Sequence, residues 1–400
     1  MGTTWQQWWV AGVLGLPWWG MALVLLAATQ LTIFAVTLYL HRSQAHRGVD
    51  FHPVVAHVFR CWLWLTTSMI TREWVAIHRK HHAHVETEHD PHSPVVLGIG
   101  TVLRKGAELY RQARSNREDM AHYGRGTPED WVERHVYTPY ANLGPVVLLL
   151  AWLLLFGLPG VAMWAVQMAW IPVWAAGVIN GMGHWWGYRN FESADHSTNL
   201  TPWALWIGGE ELHNNHHAFP SSSRFSMRRW ELDIGWGAIC ILRRLGLATV
   251  LRVAPQLDVR PNIAVPDADT LKALLVHRFH AMTDYHRHVL TPALRAEARA
   301  TGARLRALLP RRQRRGLASD GRWLCAEHRQ QLQQWVAERP QIAELVAYRV
   351  RLMAVLEARG QDAGQRLAQL QAWCAEAEAS GSAALQDFAR RMKGYRLVGA

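Results

Sequence analysis

Residues 143–186 read LGPVVLLLAWLLLFGLPGVAMWAVQMAWIPVWAAGVINGMGHWW, and the reading of this stretch decides the fold. It is apolar throughout except for Gln167, Asn180 and His184, and Leu158-Pro159-Gly160 interrupts it. About 20 helical residues cross the hydrocarbon core of a bilayer. The 44 residues here therefore suffice for two spans folded as a hairpin about the Pro-Gly break. A hairpin returns the chain to the side it left, so the polar segments before and after it share one face. Asn180 and His184, spaced i, i+4 near the end of the second arm, lie on one face of the helix. Polar groups inside a span are costly in lipid and mark a functional position.

Upstream, Trp5 to Leu40 is apolar apart from Gln6, Gln7 and Gln30, and Pro17 divides it. Pro17–Leu40 is long enough for one span, whereas residues 5–16 are too short for a second and form a half-inserted or tilted segment. No basic residues precede this stretch and no small-residue cleavage site follows it, so it reads as an anchor. Val54–Ile70 is apolar but carries Arg60 near its middle, which argues for an interfacial or buried helix instead of a crossing. Beyond the Pro-punctuated stretch 255–266 the chain turns polar and rich in Arg, Gln, Glu and Ala. Leu271, Leu274, Leu275, Phe279 and Met282 recur there at helical spacing, and further helices are expected near 292–309, 322–338, 341–358 and 362–395.

The expected fold is mainly α: a polytopic membrane bundle of about three to four spans, near 17–40, 143–158 and 161–184. A cytoplasmic helical cap would carry a two-metal site, and a helical C-terminal tail would follow. The membrane domain would occupy residues 1–264 and a soluble helical extension residues 265–400.

The chain carries 43 Lys and Arg against 31 Asp and Glu, a formal charge of +12. Such an excess fits a cytoplasmic loop surface beside anionic lipid or nucleic-acid binding. The apolar spans favour the first, and no nucleic-acid partner is expected. Arg311-Arg312-Gln313-Arg314-Arg315 forms a basic cluster in the tail. Cys61, Cys240, Cys325 and Cys374 form no C-x-x-C pair, which points to a reduced compartment and away from a disulfide framework.

Two runs carry the chemistry. His78-Arg79-Lys80-His81-His82 and His213-Asn214-Asn215-His216-His217 both read H-x-x-H-H. Histidines at i, i+3 and i+4 share one stripe of a helix, so each run is expected to aim three imidazoles at one point. His41 and His46 precede them. Five residues apart, these two cannot share a face of a regular helix, so the chain must distort near Arg42–Gly48 for His46 to turn back. All-histidine sites suit iron, copper or zinc. Eight such histidines plus His184 exceed what one zinc takes; haem would use only one or two, and no H-E-x-x-H motif occurs. Nine imidazoles and an amide fit two metals that keep positions open for O2.

The order H-x4-H, H-x2-H-H, N-x3-H and H-N-x-H-H resembles the membrane fatty-acid desaturases, specifically the stearoyl-CoA (Δ9) type. Glu73-Trp74, Asp90-Pro91-His92, Arg104-Lys105, Gly187-Tyr188-Arg189 and Gly209-Glu210 sit where that family has them, and the resemblance covers about residues 17–250. It implies a non-haem di-iron centre held by His41, His46, His78, His81, His82, His184, His213, His216 and His217, with Asn180 acting through water. Glu73, Asp90 and Glu210 become candidates for carboxylates that orient the imidazoles by accepting their other N–H. Trp74 would line the acyl tunnel, and Arg104 and Lys105 would meet the substrate head group.

The same resemblance implies O2-dependent insertion of a cis double bond, Δ9 by that likeness, into a saturated long-chain acyl group. Acyl-CoA is the first reading of the carrier, and acyl chains on phospholipid are the alternative. A di-iron hydroxylase using the same residues is a further alternative. A membrane-tethered binding protein using the basic tail represents a different class. Neither a His-Pro-Gly-Gly segment nor a flavin fingerprint occurs in the chain, so NAD(P)H electrons would arrive through a separate ferredoxin or reductase-type donor. The expected location is a bacterial inner membrane with the site on the cytoplasmic side. Two departures stand out: Val75-Ala76-Ile77 replaces a stretch that carries a basic residue in vertebrate relatives, and the tail has no counterpart in the vertebrate pattern, though it resembles the tails of some proteobacterial desaturases.

Overall fold

A computed structural model describes residues 5–398 except Ala303, Ser319, Asp320, Arg322, Trp323 and Arg359. The chain divides into two compact units: Met1–Arg189 with Ser197–Ala254, and Asn190–His196 with Pro255–Ala400. The compositional boundary at 264/265 therefore falls inside the second unit. The reason is local, since Gln256–Val259 pairs antiparallel with Tyr395–Val398 and so ties the linker to the chain's last strand.

The apolar stretch of the first unit is a helical hairpin. Leu143–Phe156 and Leu158–Ile171 are joined at Gly157, whose φ of +69° suits glycine alone. The arms approach closely at Gly160, where a Cβ would stand 2.1 Å from the Trp152 carbonyl oxygen. Met21, Leu148, Trp152, Phe156 and Met163 form the core between this hairpin and the N-terminal helix. Two continuous helices, Trp18–Ala45 with 28 residues and Leu158–Met182 with 25, are long and apolar enough to cross a bilayer. Leu143–Phe156, with 14 residues, is shorter than a full crossing.

Both long helices change pitch. Trp18–Phe34 is a regular α-helix that widens into a π-helix over Ala35–Ala45. Leu158–Ile171 widens likewise over Pro172–Ile179. Pro172 brings no N–H and its ring presses on the preceding turn, a known cause of a widened ladder. Helix Pro53–Thr67 lies alongside, with Arg60 buried. Asp130 and Glu133 take up its guanidinium, the latter at 2.8 Å, which explains how an arginine sits in an otherwise apolar helix.

Helix Thr71–Ala83 carries the first H-x-x-H-H run, and the short helix His213–Ala218 carries the second. Helix Ile99–Arg114 packs on Pro172–Ile179 through Gly106, where a Cβ would lie 2.7 Å from the Ala176 oxygen. Two small strand pairs tie loops down: Val49–Phe51 with Ala248–Val250, and Trp203–Ala204 with Leu232–Asp233.

The second unit is helical. Ala268–Val276, Arg278–Tyr285, Pro340–Glu357, Ala363–Ala379 and Ala383–Lys393 enclose Leu274, Met282, Tyr285, Leu352, Leu370 and Phe388. The helix expected over 362–395 is two helices, parted at Ser380-Gly381-Ser382, where Ser382 caps the second. The basic cluster opens helix Arg311–Ala318, but the side chains of Arg311, Arg312 and Arg315 lie outside the described residues. Asn190–His196 belongs to this unit: Glu192 donates its backbone N–H to Thr283 at 2.8 Å, and Phe191 is buried.

Candidate metal centre

The nine expected histidines fall into two groups. The ligand nitrogens of His41, His46, His78, His82 and His216 lie within 4.8 Å of one another, and so do those of His81, His184, His213 and His217. Each run splits, contrary to the expectation that its three imidazoles meet at one point. His78 and His82, one turn apart, serve the first group, and His81 reaches the second. In the other run His213 and His217 serve the second group, and His216 crosses to the first. The runs thus exchange one imidazole each, because residues i+3 and i+4 flank the stripe and point to its two sides.

His41 and His46 meet through the wide pitch of Ala35–Ala45. The His46 N–H donates to the His41 carbonyl at 3.1 Å, an i→i+5 bond that sets the two residues one turn apart. Their ring centroids stand 5.0 Å apart. Arg79, one of the two residues between His78 and His81, holds this turn. Its guanidinium donates to the carbonyls of Gln44 at 2.8 Å and Ala45 at 3.0 Å. Arg42 anchors the other side, buried against Asp233 at 2.9 Å and stacked over Phe225.

Three carboxylates define the tautomers. His41 Nδ1 lies 2.7 Å from Glu210 Oε1, His81 Nδ1 is 2.9 Å from Asp90 Oδ1, and His184 Nδ1 is 3.0 Å from Glu86 Oε1. An ionised carboxylate only accepts, so each imidazole donates Nδ1–H and leaves its lone pair on Nε2. Those nitrogens face other imidazoles: His41 Nε2 is 3.0 Å from His216 Nε2, and His184 Nε2 is 3.0 Å from His213 Nε2. His46 and His78 approach to 2.8 Å, and His82 and His216 to 2.9 Å. Nε2 of His81 is buried with no hydrogen-bond partner among the described residues. Lone pairs crowded in this way repel unless a shared proton or a cation lies among them. A donor set of buried imidazoles at such spacing fits a transition metal in each group.

Electrostatics agree with that fit. Burial, and then the neighbouring imidazoles, hold His46, His78, His82 and His216 well below the ordinary histidine range, in the neutral form that binds metal. Burial would raise the Asp90 carboxyl, but His81 and His92 outweigh it and keep Asp90 far below the usual carboxylate range.

Of the three expected orienting carboxylates, Asp90 and Glu210 touch histidines and Glu73 does not. Glu73 Oε2 lies 3.6 Å from Arg114, with no hydrogen-bond partner among the described residues. Glu86 is the acid that reaches His184, from the polar loop after the first run. Six acidic or imidazole side chains crowd residues 84–93, and no spacing rule selects Glu86. His92 was not among the expected site residues either. It stacks on His81 with centroids 4.3 Å apart, and burial pushes it down to about 3.

The second run is braced by groups with no sequence signal. Asn215 donates to the Phe225 carbonyl and to Glu231 and accepts from Asn199. Glu211 accepts the backbone N–H groups of Trp206, Ile207 and Gly209, fixing the turn that delivers His213.

A cavity of about 520 Å³ adjoins the first group, reached by His78, His92 and Asn180. Trp74 lines it and stacks on His78, centroids 5.0 Å apart, while Ile77, Met168, Ile171, Pro172 and Ala175 supply apolar wall. Asn180 belongs to this wall. Arg104 and Lys105 are exposed and do not line it. Arg104 instead donates to the Gly100 carbonyl of its own helix, and that helix kinks at Lys105.

A family model described as fatty acid desaturase matches residues 16–236. The chain is 32% identical over 235 residues to an icosanoyl-CoA 5-desaturase of Limnanthes douglasii, a match covering 56% of this chain and 62% of that protein. It is 30% identical over 235 residues to a probable chloroplastic lipid desaturase of Arabidopsis thaliana, covering 58% and 63%. With an sn-1 stearoyl-lipid 9-desaturase of Anabaena variabilis it shares 29% over 227 residues, covering 55% and 79%. The chain thus spans less than two thirds of the length of the first two relatives.

Proposed function

The chain belongs to the fatty acid desaturase family, and from that premise we propose that it converts a saturated long-chain fatty acyl group to the cis alkene. One observation carries the reading: nine imidazoles, six buried and three half-buried, sorted into two groups, lie beside an apolar cavity that reaches His78. Two iron ions, one per group, would supply together with O2 and two external electrons the oxidising power that an unactivated methylene requires. In balance, two hydrogens leave adjacent methylenes, two protons and two electrons enter, and O2 departs as two waters.

His41, His46, His78, His82 and His216 would hold one metal, and His81, His184, His213 and His217 the other, with Asn180 acting through water. Glu210, Asp90 and Glu86 keep Nδ1 of His41, His81 and His184 protonated, so that Nε2 is the atom that would bind a metal. Trp74, stacked on His78, and the apolar wall formed by Ile171 and Pro172 keep water from the methylenes beside the centre.

The double bond is read as Δ9 and the carrier first as CoA. The relative from Anabaena, named for a stearoyl-lipid substrate, supports phospholipid-bound chains as the second reading. The helices Trp18–Ala45 and Leu158–Met182 support an integral membrane protein, for which we propose a bacterial inner membrane and a cytoplasmic active face. Electrons would come from NAD(P)H through a separate ferredoxin or reductase. The test is expression in cells supplied with saturated fatty acids, with mass-spectrometric location of new double bonds. Isolated membranes fed acyl-CoA or labelled phospholipid then distinguish the carriers. Hydroxylated product without alkene would replace this reading with the hydroxylase.

A further inference from the structure

The second unit concentrates positive charge in one segment. Between Thr291 and Ala318 the chain has eight arginines and one acid, Glu297. That acid is engaged already, accepting from Arg339 Nε at 3.1 Å. Arg295, Arg299 and Arg304 are exposed, and none of the three forms an ion pair or a side-chain hydrogen bond among the described residues. Arg295 and Arg299 stand one turn apart on helix Thr291–Ala300, whose Leu294 and Ala298 are buried. Like charges at this spacing repel, so the pair favours an anion set between its two guanidinium groups.

The same pair lines a hollow of about 510 Å³ together with Pro292, Ala298 and Leu305. Arg304 adjoins it as the residue before helix Leu305–Leu308. The wall is thus guanidinium in one part and aliphatic carbon in the other. A guanidinium fork matches two oxygens of one phosphate, and the aliphatic part suits glycerol and the methylenes that follow it. No aromatic ring lines the hollow, so a nucleic-acid base finds no platform to stack on. Helices Trp18–Ala45 and Leu158–Met182 are long and apolar enough to hold the same chain in a bilayer. Lipid head groups then reach the second unit at a far higher effective concentration than a soluble anion does.

We propose that this hollow binds the phosphodiester head group of an anionic phospholipid. Arg295 and Arg299 hold the phosphate oxygens, Arg304 adds its charge at the rim, and Pro292 and Leu305 meet the glycerol. The second unit is then a lipid-binding module that engages a membrane surface in proportion to its anionic content. The inference goes beyond the desaturase reading and stands without it.

The experiment uses the full-length protein in nanodiscs, either of zwitterionic phosphatidylcholine alone or of phosphatidylcholine mixed with phosphatidylglycerol. Hydrogen exchange is followed at the backbone amides of residues 292–305. Phosphatidylglycerol should slow that exchange at least roughly fivefold, the weight of one arginine at an anionic surface, and high salt should reduce the effect. Arg295→Gln with Arg299→Gln should abolish the slowing with thermal unfolding unchanged, since both side chains are exposed. Arg295→Lys with Arg299→Lys should retain most of it, and Arg287→Gln, exposed and outside the hollow, should retain all of it. Equal exchange in the two kinds of disc overturns the proposal, and so does undiminished slowing in the glutamine variant. Inorganic phosphate and a single-stranded RNA are each added to the phosphatidylcholine discs as further probes. Slowing by phosphate equal to that by phosphatidylglycerol overturns the lipid assignment in favour of a soluble anion. Slowing by RNA alone overturns it in favour of nucleic acid. None of these readouts requires alkene formation, so the desaturase reading fails or stands separately.

Discussion

His184 donates its Nδ1 proton to Glu86 across 3.0 Å, joining the end of the second hairpin arm to the loop that follows the first histidine run. Glu86 takes a φ of +60° to do so, and its own N–H donates to Asp90 at 2.8 Å. A non-glycine residue persists in that region when its surroundings over-determine it. Loss of such a carboxylate partner usually weakens metal binding by about 10–100-fold. Glu86→Gln should therefore shed iron against a chelator at concentrations that leave the unaltered protein loaded, as read by metal analysis after dialysis. Glu73→Gln should retain its iron.

His81 and His216 each belong to the group opposite the rest of their run. His81→Ala should deplete the four-histidine group first and His216→Ala the five-histidine group, each lowering iron from about two per chain toward about one. Neither variant should form alkene. Spectroscopy of the residual iron should differ between the two, because the surviving ligand sets differ.

Arg60 is buried in helix Pro53–Thr67 and held by Glu133 and Asp130. Glu133→Gln removes the more buried of its two anions and should destabilise the protein by about 1–3 kcal/mol, since Asp130 remains. Arg60→Met leaves the buried Glu133 carboxylate without a cation and should cost more, about 3–5 kcal/mol. Thermal unfolding in detergent, following tryptophan fluorescence, ranks the two variants.

In the second unit, burial and then His280 push His277 down to about 4. Between that value and the ordinary histidine value of 6.5, the unfolded chain binds a proton that the folded chain refuses. Stability contributed by neutral His277 is thus present above pH 6.5, falls as the pH drops toward 4, and levels below that. Hydrogen exchange of residues 268–285, corrected for intrinsic rates, should show faster opening at pH 5 than at pH 7. His277→Gln should flatten the difference.

The hairpin at 143–186 is legible in the sequence because length, apolarity and a Pro-Gly break are local properties, and the structure turns at Gly157. The histidine spacing shows equally well which side chains share a helix face. It does not show their targets, so the exchange of His81 and His216 between groups emerges only when the two helices are set against each other. Glu73 and Glu86 illustrate the same limit: the acid adjacent in sequence to Trp74 pairs with Arg114, while one in a crowded loop reaches across to His184. Arg104 and Arg111 lie seven residues apart on one helix, a spacing that would align them if the helix were straight. The kink at Lys105 separates their environments, and no residue pattern announces it. Buried Arg42 and Asn215 escape notice because their partners, Asp233 and Glu231, are distant in sequence.

The widened turn from His41 to His46 has a thermodynamic consequence. Long runs of i→i+5 hydrogen bonds are rare because the tighter ladder is the lower-energy choice for most sequences. The segment is therefore held away from its local preference by Arg79 on one side and Arg42 on the other. A cation that requires His41 and His46 together adds its affinity to the same restraint. Linkage makes the bargain reciprocal: the wide pitch raises metal affinity, and bound metal stabilises the wide pitch. Chelation should thus do more than abolish desaturation, because it withdraws one of the restraints that hold this segment at its wide pitch.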